Sequence, residues 1–431
     1  MPSIPEPDAA TAWHVARALR QHGHVLGALE ALHERLGDIF QLPLPGFRSV
    51  VLVGPEANRF LLVEARESVR WRAEADPVTQ LLGQGVLVTD GALHDEIRET
   101  MSPSLHRTMI QGYLQTMWQA TDDVSGEWGE RACVDLLIEM RRIALLILTR
   151  TLFGDDVGPH LDDLWTSILR TIRYISPGPW LVWPTIPRVG YRQALQRLDG
   201  YLSRIITHRH ASPDTTGDLL GSLITSGMDD GLIRDQLLTM FIAGHDTSTA
   251  LLAWSLYLLS IHPDVLARVQ TEMEEVVGTQ PPTYAQLRQL GYLDRVIKET
   301  LRLYPPIHLG SRIAATELVF RNYHIPAGTR VLYSLYLTHR DKKYWPAPDR
   351  FDPDRFAPEH AHNRPAYAYL PFGGGPRNCM GAAFAQVEAK IVLARLLQRY
   401  DFQFVGGKVR PHMRATLEPH PRVLVTVRPL T

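Results

Sequence analysis

The stretch that most restricts the fold of this chain is Phe372-Gly373-Gly374-Gly375-Pro376-Arg377-Asn378-Cys379-Met380-Gly381. It joins three consecutive glycines, an arginine and one of only two cysteines, and a helix-forming run rich in Ala, Leu, Gln and Lys follows from Ala382 to Arg399. Cys379 is therefore expected at the mouth of a helix, behind a glycine loop. Free N–H groups and partial positive charge at a helix start favour a thiolate over a thiol. A cysteine so placed serves as a metal ligand or as a nucleophile. The glycines allow the backbone to approach a flat, bulky group without Cβ clashes. A dinucleotide-binding fingerprint fails, because Asn378 stands where the third glycine belongs. A cysteine-protease site needs a histidine base, which spacing alone does not supply.

A second stretch breaks the rules of its own helix. From Leu237 to Ile261 the run is apolar on all sides, so the helix spanning Leu232 to Ile261 is expected to be central and buried. It is interrupted by Ala243-Gly244-His245-Asp246-Thr247-Ser248-Thr249. A mid-helix glycine costs roughly 1 kcal/mol relative to alanine, and a buried aspartate costs more unless it is paired. Local violations of this kind mark functional positions. The alternative is that Thr247 merely bonds back to the carbonyl of Ala243. Further on, Leu293, Val296, Ile297, Thr300, Leu301 and Tyr304 form an apolar stripe, and Pro305-Pro306 ends that helix. Glu299 and Arg302 fall opposite the stripe. Periodicity alone predicts a solvated ion pair there, worth about a few tenths of a kcal/mol.

Taken together these strings resemble the cytochrome P-450 family. Phe372, Gly375, Arg377, Cys379 and Gly381 match its signature F-x-x-G-x-R-x-C-x-G at every fixed position. Ala243 to Ser248 match its oxygen-activation string A/G-G-x-D/E-T-T/S, and Glu299-x-x-Arg302 matches its E-x-x-R. The resemblance implies a mainly helical fold with a small β-rich lobe, with heme b between the long central helix and the cysteine loop. It implies that Cys379 is the axial thiolate, that Asp246 and Thr247 help deliver protons to dioxygen, and that Gly244 opens room for it. It implies a buried structural triad of Glu299, Arg302 and the Arg355 of Pro353-Asp354-Arg355-Phe356. It also implies that heme propionates are held by His94 (if protonated) and Arg98, four apart on one helix face, together with Arg312 and Arg377. Phe372 and Gly375 complete the cofactor loop. His245 sits at the family's variable position and receives no role.

Other patterns are excluded. His208-Arg209-His210 is too tight for zinc spacing, and His339-Arg340-Asp341 lacks the Asn and the D-F-G of a kinase loop. The chain has 431 residues, 45% hydrophobic, with 45 Lys plus Arg against 46 Asp plus Glu; a formal charge of −1 points neither to nucleic acid nor to an anionic membrane. Cys133 and Cys379 form no disulfide framework and fit a reducing compartment. Cys133, in an apolar-rich segment, is expected to be a small core residue. No apolar signal region and no run long enough to span a membrane is present, so a cytoplasmic protein is expected.

Residues 11–36 read as one helix, Asp38–Leu42 and Ser49–Val53 as strands, and 55–304 as mostly helical. Glu317–Phe320, Tyr323–Ile325 and Arg330–Tyr333 read as one small sheet, and 401–429 as strands. No repeat or linker divides the chain, so 1–431 is read as a single heme domain without a fused reductase, and as a monomer. The implied function is a monooxygenase that takes electrons from a separate ferredoxin or flavodoxin with its reductase and hydroxylates a lipophilic molecule, a terpenoid, carotenoid or fatty acid. The lipophilic substrate is inferred from a Trp180/Trp183 lip, the Leu81–Val88 loop and Ile307–Leu309; no arginine is evident for a substrate carboxylate. The alternatives are a peroxide-driven oxygenase, or a heme protein that only binds a ligand or partner. Asp246-Thr247 argues against both.

Overall fold

A computed structural model of the chain describes residues 2–22, 24–44, 46–131, 133–178, 188–212, 217–361 and 364–430. The expected lip residues Trp180 and Trp183 lie outside them.

The organising element is a 32-residue helix, Asp230–Ile261, started by the Asp229 side chain, which accepts a hydrogen bond from the N–H of Leu232. Its apolar residues point in all directions, and Leu237, Leu238, Phe241, Leu252 and Trp254 are all buried. Helices Leu136–Leu148, Gly291–Leu303 and Ala382–Arg399 pack around it and share one hydrophobic core. Burying this much apolar surface on one rod fixes the other helices about it. Among the described residues no single helix is long and apolar enough to cross a membrane.

The β-rich part sits to one side. Its largest sheet has the order Ile39–Leu44, Phe47–Leu52, Arg330–Ser334, Leu309–Ala314, Val69–Arg70. Phe47–Leu52 and Arg330–Ser334 run parallel, and the other pairings are antiparallel. The sheet therefore joins N-terminal strands to strands that follow the Glu299 helix. A three-stranded sheet unites Val134–Asp135, Leu424–Pro429 and Tyr400–Phe404, and two hairpins stand apart, Leu318–Phe320 with Tyr323–Ile325 and Arg410–Met413 with Leu417–His420.

Four expectations are corrected. Residues 11–36 are two helices, Ala9–His22 and Val25–Leu36. Arg330–Ser334 leaves the 317–325 hairpin and pairs with Phe47–Leu52 and Leu309–Ala314, whose apolar residues it covers. Leu81–Val88 is not an open apolar loop: Pro77–Leu82 is helical, and Leu81, Leu82, Val86 and Val88 are buried in the main core. Cys133 is exposed, just ahead of the short edge strand Val134–Asp135.

Candidate active site

The cysteine loop is held by its own backbone. Gly373 N–H donates to Leu370 O at 3.0 Å, Asn378 N–H to Gly375 O at 3.1 Å, and Cys379 N–H to Phe372 O at 2.8 Å. Gly375 has φ +68°, and a Cβ there would lie 2.2 Å from the carbonyl oxygen of Leu62. Its glycine identity thus answers a protein backbone, the π-helical turn Phe60–Glu64. Phe372 is half-buried against the main core. Cys379 is exposed at the end of this loop, two residues before the N-cap Gly381 of helix Ala382–Arg399. Surrounding protein raises its thiol above the ordinary range, against the Gly381 N–H and the Arg98 charge, which favour the thiolate. The Gly381 N–H at the helix start thus works toward the thiolate, and coordination to a metal would remove the thiol proton outright.

Cations gather beside the loop. His94 and Arg98 lie on helix Gly91–Met101, and Arg98 Nη2 donates to Asn378 Oδ1 at 2.8 Å. Arg377 bonds Thr89 O at 2.5 Å and Asp90 Oδ1 at 2.6 Å. Arg312, on strand Leu309–Ala314, is buried with its guanidinium 3.9 Å from the Trp71 ring centre. Burial, and then the Arg377 and Arg98 charges, push the buried His94 ring below its ordinary range although it bonds Asp95 Oδ1 at 2.8 Å. A cationic His94 is thus disfavoured. Arg72 is an addition that no motif flagged. Its Nη1 donates to Ser311 O at 2.8 Å, and burial followed by repulsion from Arg312 lowers it to about 10.

Opposite features line the central helix. Ala243, Gly244 and Thr247 are half-exposed while the residues around them are buried, so they border an internal space. Thr247 Oγ1 donates to Ala243 O at 2.8 Å, the back-bond anticipated as the alternative. A Cβ at Gly244 would sit 2.8 Å from Leu148 Cδ1. The missing side chain lets helix Leu136–Leu148 approach, while Ala243 stands one turn before Thr247 on the same face. Asp246 is buried and paired, Oδ1 with Arg141 Nη2 at 2.8 Å and Oδ2 with the Thr416 hydroxyl at 2.9 Å. Arg141 also bonds Glu418. Next to Thr247, the Ser248 hydroxyl donates to Glu388 Oε2 at 2.6 Å, and burial raises that carboxyl to about 8.

A family model described as Cytochrome P450 matches residues 5–427 of the chain. The chain belongs to the cytochrome P450 family. Cyclooctatin synthase of Streptomyces melanosporofaciens is 33% identical over 405 residues, covering 89% of this chain and 87% of that protein. Cyclooctat-9-en-7-ol 5-monooxygenase of the same organism is 32% identical over 385 residues, covering 86% and 84%. Among solved structures, the retinoic acid bound cyanobacterial CYP120A1 superposes with a TM-score of 0.86 at 27% identity, covering 96% of each chain. This P450 is accordingly an oxidoreductase that incorporates oxygen, with heme b as cofactor and with O2, a substrate and a redox partner.

The P450's own residues fit heme. Among the described residues, neither the buried Arg312 nor the half-buried Arg72 has a carboxylate within ion-pair distance. Crowded guanidiniums without acids are costly and suit the two carboxylates of a porphyrin. The thiol of Cys379 is a soft donor suited to iron.

Behind the loop, Glu299 and Arg302 are both fully buried, against the periodicity. Arg302 is bidentate, Nε to Glu299 Oε2 at 2.7 Å and Nη2 to Oε1 at 2.8 Å, and its Nη1 donates to His339 O at 2.9 Å. Asp352 N–H donates to Glu299 Oε1 at 3.0 Å, and Arg355 Nε stands 3.4 Å from the same oxygen. Burial raises the Glu299 carboxyl against the pull of Arg302. The Trp345 ring centre lies 5.2 Å from the Arg302 guanidinium and helps cover it.

Proposed function

We propose that this P450 hydroxylates a C–H bond of a lipophilic small molecule, of the terpenoid, carotenoid or fatty-acid kind, with electrons from a separate ferredoxin or flavodoxin and its reductase. The observation that carries the reading is the intact Asp246-Thr247 pair on a central helix whose Ala243–Thr247 face borders an internal space. When bound, the heme supplies dioxygen activation and C–H oxidation. The protein's part is to hold, exclude and donate. Cys379 gives the axial sulfur. Arg72, Arg98, Arg312 and Arg377 take the propionates, with His94 as a hydrogen-bond partner in place of a cation. The Thr247 hydroxyl leaves Ala243 O to pass a proton, and Asp246, anchored by Arg141 and Thr416, replaces it. Glu299, Arg302 and Arg355 keep the floor behind the cysteine loop rigid.

The names of the relatives support the substrate class: one acts on cyclooctat-9-en-7-ol, and the structural neighbour was solved with retinoic acid. The paucity of cysteines supports a cytoplasmic setting. The test is a reduced carbonyl difference spectrum, then turnover with a surrogate ferredoxin system against turnover with peroxide. Screening lipophilic compounds by iron spin state comes first. Ferredoxin-driven, product-forming turnover is expected; turnover by peroxide alone would overturn the reading. Cys379→Ser is expected to abolish the red-shifted Soret band of the reduced carbonyl complex, and its retention would exclude Cys379 as ligand. Thr247→Ala keeps the band but diverts electrons to peroxide.

A further inference from the structure

Beside Asp246, buried acids outnumber buried cations. One guanidinium nitrogen, Arg141 Nη2, donates to Asp246 Oδ1 at 2.8 Å and also to Glu418 Oε1. The side chains of Arg141, Asp246 and Glu418 are only 6%, 2% and 4% exposed. They come from three separate elements: helix Leu136–Leu148, the central helix, and strand Leu417–His420 of the C-terminal hairpin. The other charged or titratable groups facing them are few. Arg414, in the hairpin turn, holds Nε 3.6 Å from Glu418 Oε2 but is 40% exposed. His245, on the central helix, is pushed down to about 4 by burial and is neutral.

One guanidinium does not balance two buried carboxylates, and two carboxylates at one site do not both ionise freely. Burial raises the Glu418 carboxyl and the neighbouring Asp246 adds to it, while Arg141 and the wetter Arg414 work the other way. Burial opposes the Arg141 charge, but the two acids outweigh it and hold that charge firmly.

We propose that Asp246 and Glu418 share one proton across Arg141, making Glu418 a positioning residue that keeps Asp246 able to donate toward Thr247. This rests on the monooxygenase reading above. The balance is simple. A proton leaving Asp246 for the Thr247 hydroxyl leaves two negative charges on Arg141. A proton from water at the half-exposed Arg414 end restores the pair, and nothing is oxidised or reduced. The hairpin that carries Glu418 also carries Thr416, bonded to Asp246, and Ala415, whose N–H donates to Ser176 Oγ at 3.0 Å at the end of helix Leu161–Ile175. The proton store is thus attached to a surface hairpin and not to the helix alone.

The test uses the heme-loaded protein and two readouts. Infrared difference spectra follow protonated carboxyl absorption across the neutral pH range. Product formed per electron pair is measured with the compound that gives the largest spin-state shift. Glu418→Gln is expected to remove one protonated-carboxyl band and to lower coupling about tenfold, within the range general acid catalysis contributes. Arg414→Gln, on an exposed side chain, is expected to move that band's midpoint and the alkaline limb of coupling up by roughly 0.5–1 pH unit. A Glu418→Gln protein with wild-type band and coupling overturns the inference. Should that variant fail to hold heme, an unmoved midpoint in Arg414→Gln overturns it equally. Full coupling in Asp246→Asn and Thr247→Ala would instead sink the proton-relay reading itself.

Discussion

Two buried arginine–carboxylate clusters lie on different sides of the cysteine loop and the central helix, and their stoichiometry is opposite. Around Glu299 one carboxylate meets Arg302 bidentately, Arg355 at 3.4 Å and a backbone N–H. Around Arg141 one guanidinium meets two carboxylates. The first has cation to spare and no reason to bind a proton at neutral pH beyond the cost of burial. It also spends its remaining donors on carbonyls: Arg302 on His339 O and Arg350 O, Arg355 on Pro346 O and Ala347 O. These bonds tie both guanidiniums to the backbone, which is what a fixed strut requires. The second is short of positive charge and borders the Thr247 face. Excess acid makes protonation part of its ground state, so the same residue types serve rigidity in one place and proton storage in the other.

The sharpest break in this comparison is Glu299→Gln, which leaves Arg302 buried without its acid. A loss of roughly 3–5 kcal/mol is expected, seen in denaturant unfolding and as heme lost on gel filtration. A cost below 1 kcal/mol would remove the strut. Next comes Glu388, a buried carboxyl that meets the Ser248 hydroxyl and, among the described residues, no cation within ion-pair distance. Its folded value, about 8, lies above its ordinary 4.5. The folded state therefore holds the proton more tightly than the unfolded chain, and stability falls as pH rises from 4.5 through about 8. Glu388→Gln should remove that fall, so the variant's melting temperature gains on the wild type across this window; parallel curves would refute it. The smallest effect is expected for Arg355→Gln, which surrenders the 3.4 Å contact and two carbonyl bonds at the edge of the network. About 1–2 kcal/mol is expected, with heme retained. A loss as large as that of Glu299→Gln would show that Arg355 shares the central charge equally.

Much of the site was legible because it is local. Cys379, its glycine loop and the helix behind it lie within one window, as do Ala243 to Ser248, and a string match reads both. Gly375 and Gly244 were legible as motif glycines, but the protein neighbours that also demand them were not. The groups that demand them, Leu62 O and Leu148, are distant in sequence and become neighbours only after folding. Arg72 carried no signal at all. It follows a short strand that gains meaning from pairing with Leu309–Ala314, where Arg312 stands. Arg141 and Glu418 are 105 residues before and, from Arg141, 277 residues along from their partners. Mid-sequence, each looks like a solvated charge in a helix or strand.

From residue order alone came the central apolar helix, the thiol at a helix mouth, and the acid and hydroxyl placed where a buried helix would otherwise exclude them. These follow from periodicity and from the cost of burying polar groups, which act over a few turns. Tertiary structure alone decided which charges meet. Burial of Glu299 and Arg302 against the periodicity, the weakened hold of His94 on a proton, and the count of two acids to one cation beside Asp246 depend on dielectric and distance, and both are set only when separate elements close on one another.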